Sequence, residues 1–127
     1  RYTLLNRAAE PLLALGARRG IAILNAAPYG GGLLVRPEAG ARYVYREASL
    51  ALVARARQLS MLCAAYDVTL PAAALQFSLR DMRITSTIVG VASPEQVMQT
   101  LHAAAVTIPD ALWAELQAVS VDYDEPK

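Results

Sequence analysis

A chain of 127 residues with a formal net charge of +1 allows one domain of ordinary size, but it is too short for a complete (β/α)8 barrel of about 250 residues. The near-neutral charge and the scattered Lys and Arg residues argue against binding to nucleic acid or to an anionic membrane, and no apolar run approaches the roughly 18 residues of a membrane span. The single cysteine, Cys63, excludes an internal disulfide and is typical of a reducing, cytoplasmic location.

The first part of the chain predicts a strand, a helix and a second strand. Residues 1–5 contain Tyr, Thr and Leu, which favour a strand. Residues 10–19 favour a helix, because Pro11 suits a first helical turn and Gly20 suits the position just past a helix end. The compact apolar run at residues 21–25 predicts a buried strand.

The middle of the chain predicts two loops followed by two helices. Three glycines place residues 28–32 in a loop, and the polar residues 36–47 form a longer one. Residues 72–80 favour a helix that Pro71 opens. Before it, apolar side chains recur at spacings of four and three, which predicts one buried helix face. That face consists of Leu52, Ala56, Leu59, Cys63 and Tyr66.

The last part predicts a third buried strand and two helices. Residues 85–91 are β-branched and apolar, as in a strand. Ser93 and Gln96 have the spacing of a capping box at the start of a helix, and another helix begins near Pro109. Residues 120–127 resemble a frayed tail. Buried strands that alternate with helices imply parallel βαβ units within one domain that spans the chain.

Two loops lie where parallel α/β folds bind ligands, just past the carboxyl ends of strands. The first contains the glycines at 30–32, whose amides can approach a ligand or cradle a phosphate. A flexible turn explains these glycines equally well, since the P-loop lysine and the Rossmann spacing are missing. The second runs from Gly90 to Ser93, where free amides at a helix N-terminus favour an anion, although Ser93 also serves as a simple helix cap.

Few other residues offer chemistry. Tyr43 and Tyr45 alternate within the polar loop, which predicts one face turned inward, either to cover a cleft or to pin the loop. His102 lies within a helix without an acidic partner at obvious spacing, and Cys63 lies on an apolar helix face, so we expect both to be structural. No His, Cys, Asp or Glu cluster has the spacing of a metal site.

Four segments, in this order, resemble the aldo-keto reductase family over nearly the whole chain. Tyr-Thr-Leu-Leu at residues 2–5 resembles the family's Tyr-Ser-Leu-Leu strand, its sixth. Residues 21–34 resemble the seventh strand and its Ser-Pro-Leu-Gly-x-Gly-Leu-Leu loop. Residues 69–79 resemble the helix Val-Thr-Pro-Ala-Gln-Leu-Ala-Leu, and residues 87–97 resemble the eighth strand with its pyrophosphate-adenosine site. The resemblance implies an α/β partial barrel, namely the C-terminal three βα units, about strands 6–8, of a TIM (β/α)8 barrel.

The family's use of a nicotinamide cofactor implies roles for both loops. The first would line the nicotinamide and the pyrophosphate, and the second, with the helix after it, would hold the adenosine phosphate and the adenine. The implied cofactor-binding residues are Ala27, Pro28, Tyr29, Gly30, Gly31, Gly32, Leu33, Gly90, Val91, Ala92, Ser93, Gln96, Gln99 and Thr100. Tyr43 and Tyr45 would belong to the rim of the substrate site.

Departures from the family pattern carry further expectations. Gly90 and Gln96 match positions that often hold Lys and Arg around the 2′-phosphate, so we expect NAD to be preferred over NADP. Ala26 matches a position that often stacks an aromatic ring on the nicotinamide, and Asn25 or Tyr29 are the candidates to replace that ring.

The resemblance also implies an activity. The family's catalytic Tyr, Lys, Asp and His come from the first half of the barrel, so we expect that tetrad upstream of Arg1 and no catalytic residue in this chain. Residues 25–29, 41–45 and 86–91 resemble the sugar dehydrogenases of the L-fucose and D-threo-aldose type, which implies oxidation of an aldose at C1 to a lactone by the full-length protein. Pyridoxal and L-galactose are alternative substrates. The alternative functions are a non-catalytic nucleotide-binding or regulatory module, and an inactive fragment that pairs with the missing half of the barrel or self-associates through open sheet edges.

Overall fold

The computed structural model describes residues 1–119, which form helices packed beside a pair of short parallel strands. The helices are α1 (Glu10–Arg18), α2 (Leu50–Ala65), α3 (Leu70–Leu79), α4 (Pro94–Ala105) and α5 (Asp110–Val119). The strands are β1 (Leu24–Ala26), β2 (Arg42–Tyr43), β3 (Arg46–Glu47) and β4 (Ser86–Ile88), and a short 3-10 helix covers Gly30–Gly32. The predicted tail, residues 120–127, lies outside the described residues.

Local signals set the helix ends. Ser49, Thr69 and Ser93 precede α2, α3 and α4, and each side chain accepts a hydrogen bond from the amide three residues further on, at 3.2–3.3 Å. Pro11 lies in the first turn of α1, and Gly20 follows that helix with a φ of +64°. The helix predicted at residues 10–19 is therefore confirmed.

The core lies between α2, α3 and α5. The predicted face of α2 is confirmed, because Leu52, Ala56, Leu59 and Cys63 are buried, and Tyr66 packs against the core from the end of the helix. Burial of a leucine side chain stabilises a fold by about 1.5–3 kcal/mol. The remaining core side chains from these helices include Val53, Leu70, Ala72, Ala73, Ala74, Leu75, Phe77, Leu112, Trp113 and Leu116.

Strands β1 and β4 are parallel neighbours, which confirms the predicted βαβ topology. In their register Asn25 lies opposite Thr87. The side-chain amide of Asn25 donates to Ser78 Oγ at 2.8 Å, and Ser78 Oγ lies 2.7 Å from Thr87 Oγ1. These bonds fasten both strands to α3.

The prediction of a strand at residues 1–5 is wrong. Thr3 and Asn6 instead form an isolated antiparallel bridge, in which each backbone amide donates to the other residue's carbonyl at 2.7 and 3.1 Å. The tight turn between them buries Leu4 and Leu5 completely. Their hydrophobicity thus reflects core packing rather than sheet pairing, and the described residues contain two parallel strands instead of three.

The other strands are shorter and more exposed than predicted. Leu24 in β1 is 61% exposed and Ile88 in β4 is 51% exposed, because within residues 1–119 each strand has one partner and nothing covers this face of the pair. The loop predicted at residues 36–47 contains the antiparallel hairpin β2–β3, hereafter the hairpin. The part of the fold that residues 1–119 describe is therefore α/β, without a closed barrel.

No single described helix is long and apolar enough to cross a membrane, although α2 and α3 together, bent by 95° at their junction, pass the same test of length and composition.

Candidate functional site

The two predicted loops emerge from the same edge of the sheet. Parallel pairing brings Ala26 at the end of β1 opposite Ile88 at the end of β4. The pairing continues one residue further, since the Ala27 amide donates to the Ile88 carbonyl at 3.3 Å. The loops that begin at Ala27 and Gly90 are thus neighbours at the carboxyl edge, where α/β folds bind ligands.

The glycine loop is packed against the hairpin. Gly30 and Gly31 have φ values of +58° and +71°, which favour glycine. A Cβ atom on Gly30 would lie 3.1 Å from the ring of Tyr43, and one on Gly31 would lie 3.1 Å from the Arg42 carbonyl oxygen. Both glycines are therefore needed for backbone conformation and for the close approach of β2.

Hydrogen bonds within this loop change what it can offer a ligand. The Gly30 amide donates to the Ala27 carbonyl at 3.0 Å, and the Gly32 amide donates to the Tyr29 carbonyl at 3.1 Å. Those two amides are consequently occupied, contrary to the prediction that consecutive glycine amides cradle a phosphate. The assignment of the loop to a cofactor stays a prediction.

Two residues that were predicted to line the cofactor are core side chains. Pro28 and Leu33 are fully buried, because they anchor the two ends of the glycine loop in the interior. Any contact of these two residues with a cofactor would therefore have to come from their backbone atoms, and their assignment stays a prediction. Asn25 is also unsuited to replace a stacking ring, since its amide is bonded to Ser78 and to the Tyr2 carbonyl at 3.0 Å.

The second loop leads into α4 through a capped helix start. The Gln96 amide donates to Ser93 Oγ at 3.2 Å, and Gln96 Oε1 accepts from the Ala92 amide at 2.7 Å. The Gln96 side chain thus reaches one residue beyond the capping residue that the sequence pattern predicted. Exposed Gln99 and partly buried Thr100 follow exposed Gln96 by three and four residues, so both lie on its face of α4.

Glu95 sets the charge at the start of α4. Hydrogen bonds from its own backbone amide and from the Ser93 hydroxyl lower the pKa of this carboxyl group. Glu95 is therefore ionised at neutral pH, in the first turn, where the helix dipole favours a negative charge.

A cavity of about 630 Å³ lies beside the glycine loop. Its lining comprises residues 1–3, the end of β1 with Ala27, the glycines at positions 30 and 31, and residues 42–45 of the hairpin. The structure therefore brings the first predicted loop together with both predicted substrate tyrosines. Gly90, Val91, Ala92 and Ser93 flank the same sheet edge but are not part of this lining.

The sequence predicted that Tyr43 and Tyr45 share one inward face, and this prediction is wrong. Tyr43 is buried on the glycine loop with 5% exposure, whereas Tyr45 is 90% exposed. The reason is a two-residue turn at Val44 and Tyr45, both with positive φ, which reverses the chain between them. Sequence reasoning missed Arg42, which lines the cavity and donates from Nη2 to the Tyr45 carbonyl at 2.8 Å.

A charged network ties the start of the chain to the segment before β4. Burial and the hydrogen bond to Asp81, 2.7 Å long, raise the pKa of Tyr2 to about 12. Hydrogen bonds from Arg83 hold the pKa of Asp81 far below its usual range, and Arg83 also pairs with Glu10. Asp81 and Arg83 lie before the amino end of β4, where barrel folds place stabilising contacts, and Tyr2 links them to the lining of the cavity.

Residues 1–119 contain no group of three or more His, Cys, Asp or Glu side chains that is placed to hold a metal ion.

Residues 1–121 match the Aldo/keto reductase family, and the chain belongs to that family. It is 39% identical over 119 residues to a D-threo-aldose 1-dehydrogenase from a Pseudomonas species, a match that covers 91% of this chain and 36% of that protein. It is 37% identical over 120 residues to a pyridoxal 4-dehydrogenase from Microbacterium luteolum, covering 93% of this chain and 35% of that protein. The chain thus spans about a third of the length of these relatives.

The fold is also shared with a solved structure. An aldo-keto reductase from Bacillus halodurans in its holo form superposes with a TM-score of 0.74 at 23% identity. The match covers 97% of this chain and 42% of that protein, so the described fold corresponds to a part of an aldo-keto reductase.

Proposed function

We propose that this chain is the cofactor-holding part of a nicotinamide-dependent oxidoreductase that oxidises an aldose at C1 to a lactone. The observation that supports it most is the parallel register of β1 and β4, because it gathers the glycine loop and the Gly90–Ser93 loop at one sheet edge. The family membership and the similarity to a D-threo-aldose 1-dehydrogenase point to the same chemistry.

The residues present fit a dinucleotide. The cavity of about 630 Å³ opens beside this edge, and none of the described residues that line it is Asp or Glu, so an anionic cofactor meets no carboxylate there. Ala27, Tyr29 and the glycines at positions 30–32 would hold the nicotinamide half. Gly90, Val91, Ala92 and Ser93 would hold the adenosine phosphate. The chemistry that such a cofactor supplies is hydride transfer.

This chain's own part in the reaction is positioning. The hairpin and the glycine loop pack closely against each other at Gly30 and Gly31, and together they form one wall of the cavity. Tyr45 at the exposed turn and Tyr43 beneath it would form the substrate rim. We assign no residue of this chain to the transfer of the proton from the sugar hydroxyl.

We propose that NAD is preferred over NADP. Gly90 and Gln96 occupy the positions where a cation would bind the 2′-phosphate, and the ionised Glu95 adds a negative charge at the same helix start. Each missing charge-assisted hydrogen bond is worth about 1.5–3 kcal/mol. The expected result is a lower KM of the full-length protein for NAD than for NADP, and the opposite order would refute the preference.

An added cation tests the same assignment. Gln96→Arg should improve the affinity for NADP by roughly tenfold, while the affinity for NAD stays unchanged. His102→Arg is the matched control, because it places a cation on the same helix but away from the face of Gln96. If both variants change NADP binding equally, the assignment of Gln96 is wrong.

The substrate class can be measured directly. In the proposed function, L-fucose and related D-threo-aldoses reduce NAD in the presence of the full-length protein, with the lactone as product. The similarity to pyridoxal 4-dehydrogenase makes pyridoxal the second candidate. Equal inactivity with both substrates, despite measurable NAD binding, would contradict the proposed oxidation and favour a nucleotide-binding module.

A further inference from the structure

Within residues 1–119, the charged side chains that line the cavity beside the glycine loop are all positive. Its lining includes Arg1 and Arg42, and the described lining residues include no Asp or Glu. The guanidinium of Arg42 donates to a neutral acceptor, the Tyr45 carbonyl, through one of its nitrogens. Arg42 is exposed, so its guanidinium can be reached from the solvent.

The position of Arg42 is fixed by the fold around it. Its backbone carbonyl packs on Gly31, and the next residue, Tyr43, packs on Gly30. The turn that follows has φ values of +52° at Val44 and +64° at Tyr45. Positive φ is unusual for a β-branched residue and requires support from its surroundings. The hairpin is therefore held in place at the mouth of the cavity, together with Arg42.

Arg42 can supply the hydrogen-bond donors for an anion that the glycine loop does not offer. Because the amides of Gly30 and Gly32 donate within their own loop, they are not available to neutralise an anion. A guanidinium presents a planar fork of donors that matches phosphate and carboxylate groups. Its bond to one neutral carbonyl is easily exchanged for a bond to a charged oxygen.

We propose that Arg42 is an anion-binding residue of this cavity, and that its guanidinium binds a phosphate or carboxylate group. That group is carried either by the dinucleotide, in which case the inference rests on the proposed function, or by an acidic substrate. In both cases the anion replaces the Tyr45 carbonyl as the partner of Arg42.

Calorimetric titrations of the protein distinguish the two sources. The probes are ADP against adenosine, which differ in the diphosphate, and a hexuronate against its neutral hexose, which differ in the carboxylate. Arg42→Met should weaken binding of ADP or of the hexuronate by about 10- to 100-fold, and leave the matching neutral probe unchanged. Loss for ADP alone identifies the dinucleotide, and loss for the hexuronate alone identifies an acidic substrate.

Arg46→Met is the matched control, since Arg46 lies on the same hairpin opposite Tyr43 and does not line the cavity. The inference is overturned if Arg42→Met binds both anions like the wild type, if Arg46→Met loses as much, or if the wild type binds neither anion. Arg42→Lys, which keeps the charge but not the fork, should lose less than Arg42→Met. Circular dichroism shows whether each variant is folded. If Arg42→Met is not folded, the other two variants decide: weaker anion binding by Arg42→Lys than by Arg46→Met supports the inference, and the reverse overturns it.

The inference and the proposed function fail separately. If the wild type binds a hexuronate through Arg42 but does not bind NAD, the proposed function is wrong and the inference stands. If the wild type binds NAD and Arg42→Met binds it equally well, the dinucleotide source is excluded while the proposed function stands.

Discussion

Gly31→Ala should disturb the site more than an alanine placed at another glycine of similar positive φ. An alanine at a φ of +71° costs about 1–2 kcal/mol, because the left-handed region crowds its Cβ. At Gly31 the new Cβ would also lie 3.1 Å from the Arg42 carbonyl oxygen, so the hairpin must move by a few tenths of an ångström. Gly20, with a φ of +64° and nothing within 4 Å of its Cβ position, carries the backbone strain alone.

The difference between the two variants isolates the packing of the hairpin on the glycine loop. We expect Gly20→Ala to lower the free energy of unfolding by about 1–2 kcal/mol, and Gly31→Ala to lower it by about 1 kcal/mol more, as moderate overpacking does. Urea denaturation measures both values. Titration with ADP then shows whether the displaced Arg42 weakens anion binding in Gly31→Ala but not in Gly20→Ala. Equal losses of stability in the two variants would refute the packing argument.

Two further predictions concern side chains away from the site. The pKa of Asp81 is lower in the folded than in the unfolded protein, because Arg83 donates to its carboxylate; its contribution to stability is therefore present above about pH 4 and lost as the pH falls further. Asp81→Asn should consequently lower Tm at pH 7, and the difference from the wild type should shrink progressively as the pH falls below about 4. A pH-independent difference would contradict this. Burial raises the pKa of Cys63 to about 11, so iodoacetamide at pH 8 should label it only when urea unfolds the protein. Rapid labelling in native buffer would show that Cys63 is accessible.

Helix positions could be predicted because their signals are local. Ser49, Thr69 and Ser93 each precede a helix and satisfy an amide three residues away, so the chemistry needs no distant partner. The apolar spacing in α2 likewise fixed its buried face in advance. The two loops at the sheet edge were also predictable from local signals, because each follows a short apolar run that is typical of a buried strand.

The errors arose where a residue's surroundings come from distant parts of the chain. Leu4 and Leu5 look like a strand, but they fill the core beneath a tight turn. Tyr43 and Tyr45 look like strand alternation, but a turn separates them. Neither difference is visible in residue type, because burial of Tyr43 depends on the glycine loop, more than ten positions earlier in the chain.

Dependence on a distant segment also explains why Arg42 could not be predicted from the sequence, although the glycines could. A run of glycines suggests amide donors, but the fold uses the Gly30 and Gly32 amides to close the loop on itself. What the glycines permit is the close approach of a second segment, and that segment supplies a side chain with a formal charge. In the proposed role of Arg42, the loop would therefore act on a ligand indirectly, through its packing against the hairpin. Substitutions in the glycine loop and at Arg42 should therefore affect the same step of binding, which makes their combined effect smaller than the sum of the two.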